Sequence, residues 1–160
     1  MILVGDPATG TMRPADDPGW SSYKETILVV HGRSPCEVAL DQPIGAREQA
    51  AFQAAGLTGC FGLVTAENPF GRALSAAENV ERRRAFDAEL AAAGAQVTRV
   101  DGLSPDRLHR EIGVALRWPL EAVRQLAVRW EQSAIYWFDG HAMWVVGALT
   151  VTPPWKLVPR

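Results

Sequence analysis

Sulfur and imidazole are scarce in this chain. Cys36 and Cys60 are its only cysteines, and His31, His109 and His141 its only histidines. The cysteines lie too far apart in sequence for a CxxC redox pair or a zinc knuckle. No two histidines show i,i+4 or HxH spacing, so a zinc or iron site would need ligands gathered from separate elements. No metal and no cofactor is expected. Reduced thiols fit a domain of this length better than a disulfide, and Cys60, beside Phe61 at the head of an apolar run, reads as a small hydrophobe.

Other features are missing too. No apolar run reaches the ~18–20 residues of a membrane span. The start, Met1 to Asp6, lacks the basic stretch and long apolar core of a signal peptide. The expected location is therefore the cytoplasm, with no membrane partner. Charge of one sign is absent: 16 basic residues face 18 acidic ones, which leaves no field to collect nucleic acid. GxSxG, GxxxxGK[ST] and GxGxxG signatures are lacking, and the sequence defines no triad and no pair of catalytic carboxylates.

What the chain does have is apolar mass. Of its 160 residues 48% are hydrophobic, which suits one domain of the usual ~100–200 residues. At that size roughly 70% of the unfolded surface is buried without a covalent staple. Residues 1–22 mix Gly, Pro, Asp and Thr and read as an irregular segment. Residues 23–150 read as the single domain, and 151–160 as a tail. Leu157-Val158-Pro159-Arg160 matches the stretch cut by thrombin and reads as an expression remnant.

Within the domain, β-branched and apolar alternation predicts strands near 26–30, 36–40, 60–66, 96–100, 112–116, 133–138 and 141–148. Phe61 to Ala66 is continuously apolar, as a strand buried on both faces would be. Helices are predicted over 46–55, from the Ser75-x-x-Glu78 capping box to about Ala93, and from Leu120 to about Trp130. Asp101 to Arg107 reads as a polar loop. The predicted class is α/β, an α+β sandwich: a mixed sheet with helices packed on it and a C-terminal hairpin. Asp139-Gly140 signals a two-residue turn, which would set Phe138 opposite His141 and Tyr136 opposite Met143. Both faces of that hairpin are apolar, with Tyr136, Phe138 and Met143 on one and Ile135, Trp137 and Trp144 on the other.

The candidate binding site runs from Thr65 to Arg84. A buried strand ends, Asn68-Pro69-Phe70-Gly71 turns the chain, and a capped helix begins at Ser75. Ligands gather beyond strand ends and at helix N-termini, where free N–H groups favour an anion. Thr65, Asn68, Gly71, Ser75, Asn79 and Arg83 are the candidate ligand contacts: amides offer donor and acceptor, and a guanidinium grips an oxyanion in a fork. The plain alternatives are that Ser75 and Glu78 only cap the helix, that Asn68 only makes a turn, and that Arg82-Arg83-Arg84 only pairs with Glu78, Glu81 or Asp87.

The residues Val64-Thr65-Ala66-Glu67-Asn68-Pro69-Phe70-Gly71, with Ser75, Glu78 and Asn79 downstream and Glu131 to Ile135 near the C-terminus, resemble the bacterial domain of unknown function 3293 family. The resemblance spans Tyr23 to Leu149 and implies an α/β fold in a bacterial cytoplasmic protein; it brings no activity. Two functions follow from the residues. The first is a domain binding a small anionic or nucleotide-like ligand at the Asn68-Pro69 loop and the following helix. The second is a protein-interaction module (inhibitor, immunity-type or homodimer) whose anchors are Trp130, Trp137 and Trp144.

Overall fold

The computed structural model describes residues 3–5, 12–14, 20–149 and 154–157. Strands β1 (Leu3–Gly5) and β2 (Met12–Pro14) pair antiparallel with each other, inside the segment read as irregular. The main body contains β3 (Ile27–His31), β4 (Pro35–Ala39), α1 (Ala46–Ala54), β5 (Phe61–Thr65), α2 (Ala76–Ala92), β6 (Val97–Leu103), β7 (Arg110–Leu116), α3 (Leu120–Arg129), β8 (Ala134–Phe138), β9 (Met143–Gly147) and β10 (Trp155–Leu157). Helix α2 starts where the capping box requires: Ser75 Oγ accepts from the Glu78 amide while Glu78 Oε2 accepts from the Ser75 amide. Pro119 precedes α3, supplying a fixed φ where no helical N–H is needed.

These strands form one curled eight-stranded sheet, ordered β10-β9-β8-β5-β7-β6-β3-β4. Every neighbouring pair is antiparallel, so the expected mixed sheet is corrected to an antiparallel α+β one. The physical reason lies in the crossovers. Helix α2 links β5 to β6, which run parallel but have β7 inserted between them; α3 links β7 to β8, which have β5 between them. A helix between two strands suggests parallel neighbours, and here a third strand occupies the gap each time.

The sheet carries a core on each face. On one, Phe52 of α1 packs with Phe61 and Phe138, their ring centroids 5.1–5.2 Å apart, over Leu28, Val30, Val100 and Val145. On the other, Phe86 and Leu90 of α2 and Val123, Leu126 and Ala127 of α3 cover Val64, Val114, Leu116, Ile135 and Val146. No residue of β3, β4 or β6 joins that second core. Among the described residues the helices therefore cover this face over β5, β7, β8 and β9, and none lies over it beyond β6.

Three further expectations change. The hairpin pairs Phe138 with Met143 and Trp137 with Trp144, and Asp139 to Ala142 form the connection. Asp139 Oδ1 accepts from the His141 and Ala142 amides and stabilises this longer turn. The shift from the expected register is even, so every side chain keeps its face: Tyr136, Phe138 and Met143 lie in the α1-side core, and Ile135, Trp137 and Trp144 on the other. Next, β6 continues through Asp101 to Leu103, residues read as loop, because the Asp101 charge is met by partners on its own and neighbouring strands. Finally, β10 pairs with β9, and Leu157, read as part of a tail, is buried opposite Met143.

Gly113 of β7 marks a close approach of three strands. A Cβ there would lie 2.9 Å from the Val64 carbonyl oxygen and 3.0 Å from that of Val100. Neither backbone can retreat without breaking its ladder. Gly113→Ala is expected to lower unfolding free energy by about 1–3 kcal/mol. Gly102→Ala, whose Cβ would meet nothing nearer than 3.7 Å, should stay within about 0.5 kcal/mol of the parent. Urea denaturation of both variants checks the pair.

Candidate functional site

At the end of β5, Thr65 Oγ1 donates to the Ile112 carbonyl at 2.8 Å and accepts from the Glu67 amide at 3.1 Å, turning the chain out of the sheet. Asn68 (φ 49°), Phe70 (φ 57°) and Gly71 (φ 70°) then take left-handed backbone. Asparagine and glycine adopt it readily; for a bulky residue it is strained. Phe70 is held by its amide donating to the Glu131 carbonyl at 2.8 Å, and Glu131 is itself left-handed at φ 61°. The two asparagines reciprocate. The Asn68 amide donates to Asn79 Oδ1, Asn79 Nδ2 donates to Asn68 Oδ1, and the Leu74 amide donates to the same oxygen. Asn68 Nδ2 donates to Glu111 Oε1 at 2.8 Å.

Thr65, Asn68, Ser75 and Asn79 come together, and their hydrogen bonds run to the loop, the helix start and Glu111. Gly71 is exposed at the bend. Arg83 makes no hydrogen bond to the two asparagines and pairs instead with the buried Glu67 at 2.7 Å. The arginine run does not act as one solvated face. Only Arg84 is an ordinary surface partner, of Glu81. Arg82 donates to the Ala66 carbonyl at 2.6 Å and the Trp130 carbonyl at 2.8 Å, lies over the Trp130 ring, and meets Glu131. It thereby ties the exits of β5 and α3 to α2.

A concavity lies beside this knot, between α2 and the sheet. It is a groove of about 460 Å³ lined by Arg83, Phe86, Asp87, Leu90 and Ala91 from α2, Ala95 after it, Val97 and Arg99 from β6, and Ile112, Gly113 and Val114 from β7. Its floor is apolar where the second core ends, and charged groups stand at its edges. Arg99 continues into a cluster that sequence reasoning missed. Asp101, fully buried, accepts from Arg99 Nε at 3.0 Å, Arg99 Nη2 at 3.1 Å, Arg110 Nε at 2.9 Å and His31 Nε2 at 3.0 Å. Burial pushes this carboxyl up, but the bonds from Arg99, Arg110 and His31 outweigh it and hold the group below the ordinary aspartate value. The available signal was alternation: Val97, Arg99 and Asp101 fall on one face of a strand, had the strand been read past Val100.

Glu111 is the opposite case. It lies on the other face of β7, and burial, reinforced by the nearby Glu67 charge, raises its carboxyl above the ordinary value despite the Asn68 hydrogen bond and His109. The aromatic anchors named from the sequence sit as follows. Trp130 packs edge-on against Phe86 at 5.2 Å and donates to Glu89, Trp144 donates to Asp139, and Trp137 pairs with Trp144 across the hairpin. Cys36 and Cys60 are free thiols. Among the described residues no three His, Cys, Asp or Glu side chains gather to hold a metal ion, and no helix is long and apolar enough to cross a membrane.

A family model described as "Protein of unknown function (DUF3293)" matches residues 64–135. That stretch holds the loop, α2, both groove strands and α3, and it is shorter than the Tyr23–Leu149 span of the sequence resemblance. No curated protein and no solved structure matches the chain.

A raised carboxyl pKa sets a sign for stability. The neutral form of Glu111 is favoured in the fold, so its contribution is complete below the ordinary value of 4.5 and is lost as pH rises through the raised one. Glu111→Gln keeps an acceptor for Asn68 and cannot ionise. The variant's melting temperature minus that of the parent should therefore increase from acid to pH ~8, through the carboxylate range and above. A difference that stays flat across a pH series counts against a burial-strained carboxyl.

Proposed function

We propose that the region matched by the DUF3293 family model, residues 64–135, binds a small molecule with an apolar body and an anionic group in the groove between α2 and the sheet. The groove itself carries this reading. Its volume, about 460 Å³, falls within the ~300–1,000 Å³ of small-molecule pockets, which combine apolar walls with a few placed polar groups. Phe86, Leu90, Ile112 and Val114 offer the apolar wall. Arg83 and Arg99 offer guanidinium donors, and Asp87 stands on the helix side.

The charges give the ligand a direction. On the α2 side the Arg83 charge is met by Glu67, and Asp87 repels an anion, whereas Arg99 leads toward Arg110, away from that rim. The anionic end of the ligand therefore lies toward β6 and a neutral or donor end toward α2. Arg83 is the residue that links this reading to the one from sequence. Thr65, Asn68, Ser75 and Asn79 support the site by fixing where α2 begins, which sets the groove's width.

Ala91 is exposed and lines the groove, so Ala91→Trp fills it with little demand on the core. Methyl NMR spectra with a panel of aromatic and aliphatic carboxylates and phosphates should move the Leu90, Ile112 and Val114 signals of the parent. The same panel should leave the variant unmoved at an unchanged melting temperature. Unmoved parent methyls across the panel, or identical movement in both proteins, contradict the proposal.

A further inference from the structure

We infer that the anionic group is a phosphate, seated on the platform that Arg99, Arg110 and His31 build over Asp101; this deepens the groove reading and rests on it for the apolar part of the ligand. The platform is made by three adjacent strands. β3 supplies His31, β6 supplies Arg99 and Asp101, and β7 supplies Arg110. The Asp101 side chain is 0% exposed, while those of Arg99, Arg110 and His31 are 51%, 45% and 25% exposed. The surface presented to solvent at this point is therefore cationic, with its counter-charge hidden beneath.

The bonding leaves donors over. Arg99 and Arg110 use their Nε and Nη2 groups on Asp101, and His31 uses Nε2. Arg99 Nη1, Arg110 Nη1 and His31 Nδ1 make no hydrogen bond among the described residues. Asp101 thus acts as an orienting group that holds two guanidiniums by one edge and frees the other. One carboxylate against two arginines leaves net positive charge even with a neutral imidazole. Arg99 Nη1 and Arg110 Nη1 are donors in every state, and an imidazolium at His31, with Nε2–H on Asp101, adds Nδ1–H as a third; three donors from three strands suit an oxyanion with three acceptor oxygens, whereas a carboxylate has only two.

The platform adjoins the groove. Arg99 belongs to both. Arg110 precedes the groove residue Ile112 by two positions on the same face of β7, about 7 Å along the strand. A phosphate on the platform can therefore carry an apolar substituent reaching Ile112 and Val114. The predicted ligand class is a small phosphomonoester with an apolar or aromatic body.

Titration followed by NMR, at constant ionic strength, separates the parts. The probes are inorganic phosphate, phenyl phosphate, phenylacetate and a single-stranded oligonucleotide. Phosphate is expected to move the Arg99 and Arg110 Nε–H and His31 ring signals alone. Phenyl phosphate should move these together with the Ile112 and Val114 methyls, and should bind about tenfold more tightly than phenylacetate, as expected for one additional charge-assisted hydrogen bond. Arg110→Gln leaves Arg99 and His31 on Asp101 and should weaken both phosphates about tenfold while sparing phenylacetate; Arg110→Lys, which keeps the charge, should fall between.

The results that overturn the inference are distinct from those that overturn the groove. If phenyl phosphate and phenylacetate bind equally and Arg110→Gln changes neither, the phosphate platform is wrong and the groove stands. If both phosphates move the platform signals and no probe moves a methyl, the groove is wrong and the platform stands. Saturation by the oligonucleotide alone, with no response to phenyl phosphate, overturns the small-ligand class in favour of a nucleic-acid backbone.

Discussion

Arg82 joins three parts of the chain that are remote in sequence. Its guanidinium reaches the carbonyl where β5 ends and the carbonyl where α3 ends, from the second turn of α2. Carbonyls at chain exits have lost their ladder or helix partners, and a buried unpaired one costs about 1–3 kcal/mol. A charged donor satisfies two of them at once and lies over the Trp130 ring, 5.5 Å from its centroid, as it does so. The angle of α2 to the sheet follows from that fastening, together with Arg83 on Glu67 one residue later. The groove is the space that this angle leaves beside β6 and β7.

The paired strands β6 and β7 also show how partners, rather than burial, decide the state of a carboxyl. Asp101 stands opposite Ile112, and Glu111 opposite Gly102. Asp101 meets two guanidiniums and an imidazole and is held charged. Glu111, on the other face, meets one amide and another carboxylate, and is pushed toward its neutral form. The contrast follows from donor supply. A cationic N–H stabilises an anion far more than a neutral amide does, and the first offsets the loss of water whereas the second falls short.

The local features were legible where short-range chemistry decided them. Ser75 and Glu78 cap α2, Pro119 opens α3, and the alternation of Tyr136, Trp137 and Phe138 sorts the hairpin onto two faces. The hairpin's register was less legible. Asp139-Gly140 signals a tight turn, but the Asp139 carboxylate can also bind the amides of a longer one, and the long form sets Trp137 beside Trp144. The end of β6 was hidden for a related reason. A polar run reads as loop unless its charge has a partner, and the partners His31 and Arg110 are 70 and 9 residues away.

The candidate site divides along the same line. The sequence by itself determined a strand, a turn and a capped helix in succession, because the backbone limits of Pro69 and Gly71 and the hydrogen bonds at Ser75 act over a few residues. It also singled out Arg83. Tertiary structure alone decided that Asn68 and Asn79 would bond to each other, that Arg82 would bridge two chain exits, and that Arg99 and Arg110 would converge on Asp101. Those outcomes depend on strand order. Inserting β7 between β5 and β6 sets Glu111 beside Asn68 and Arg110 beside Asp101, and strand order is fixed by how two apolar faces are covered at once, a condition on the whole chain that no short stretch of residues contains.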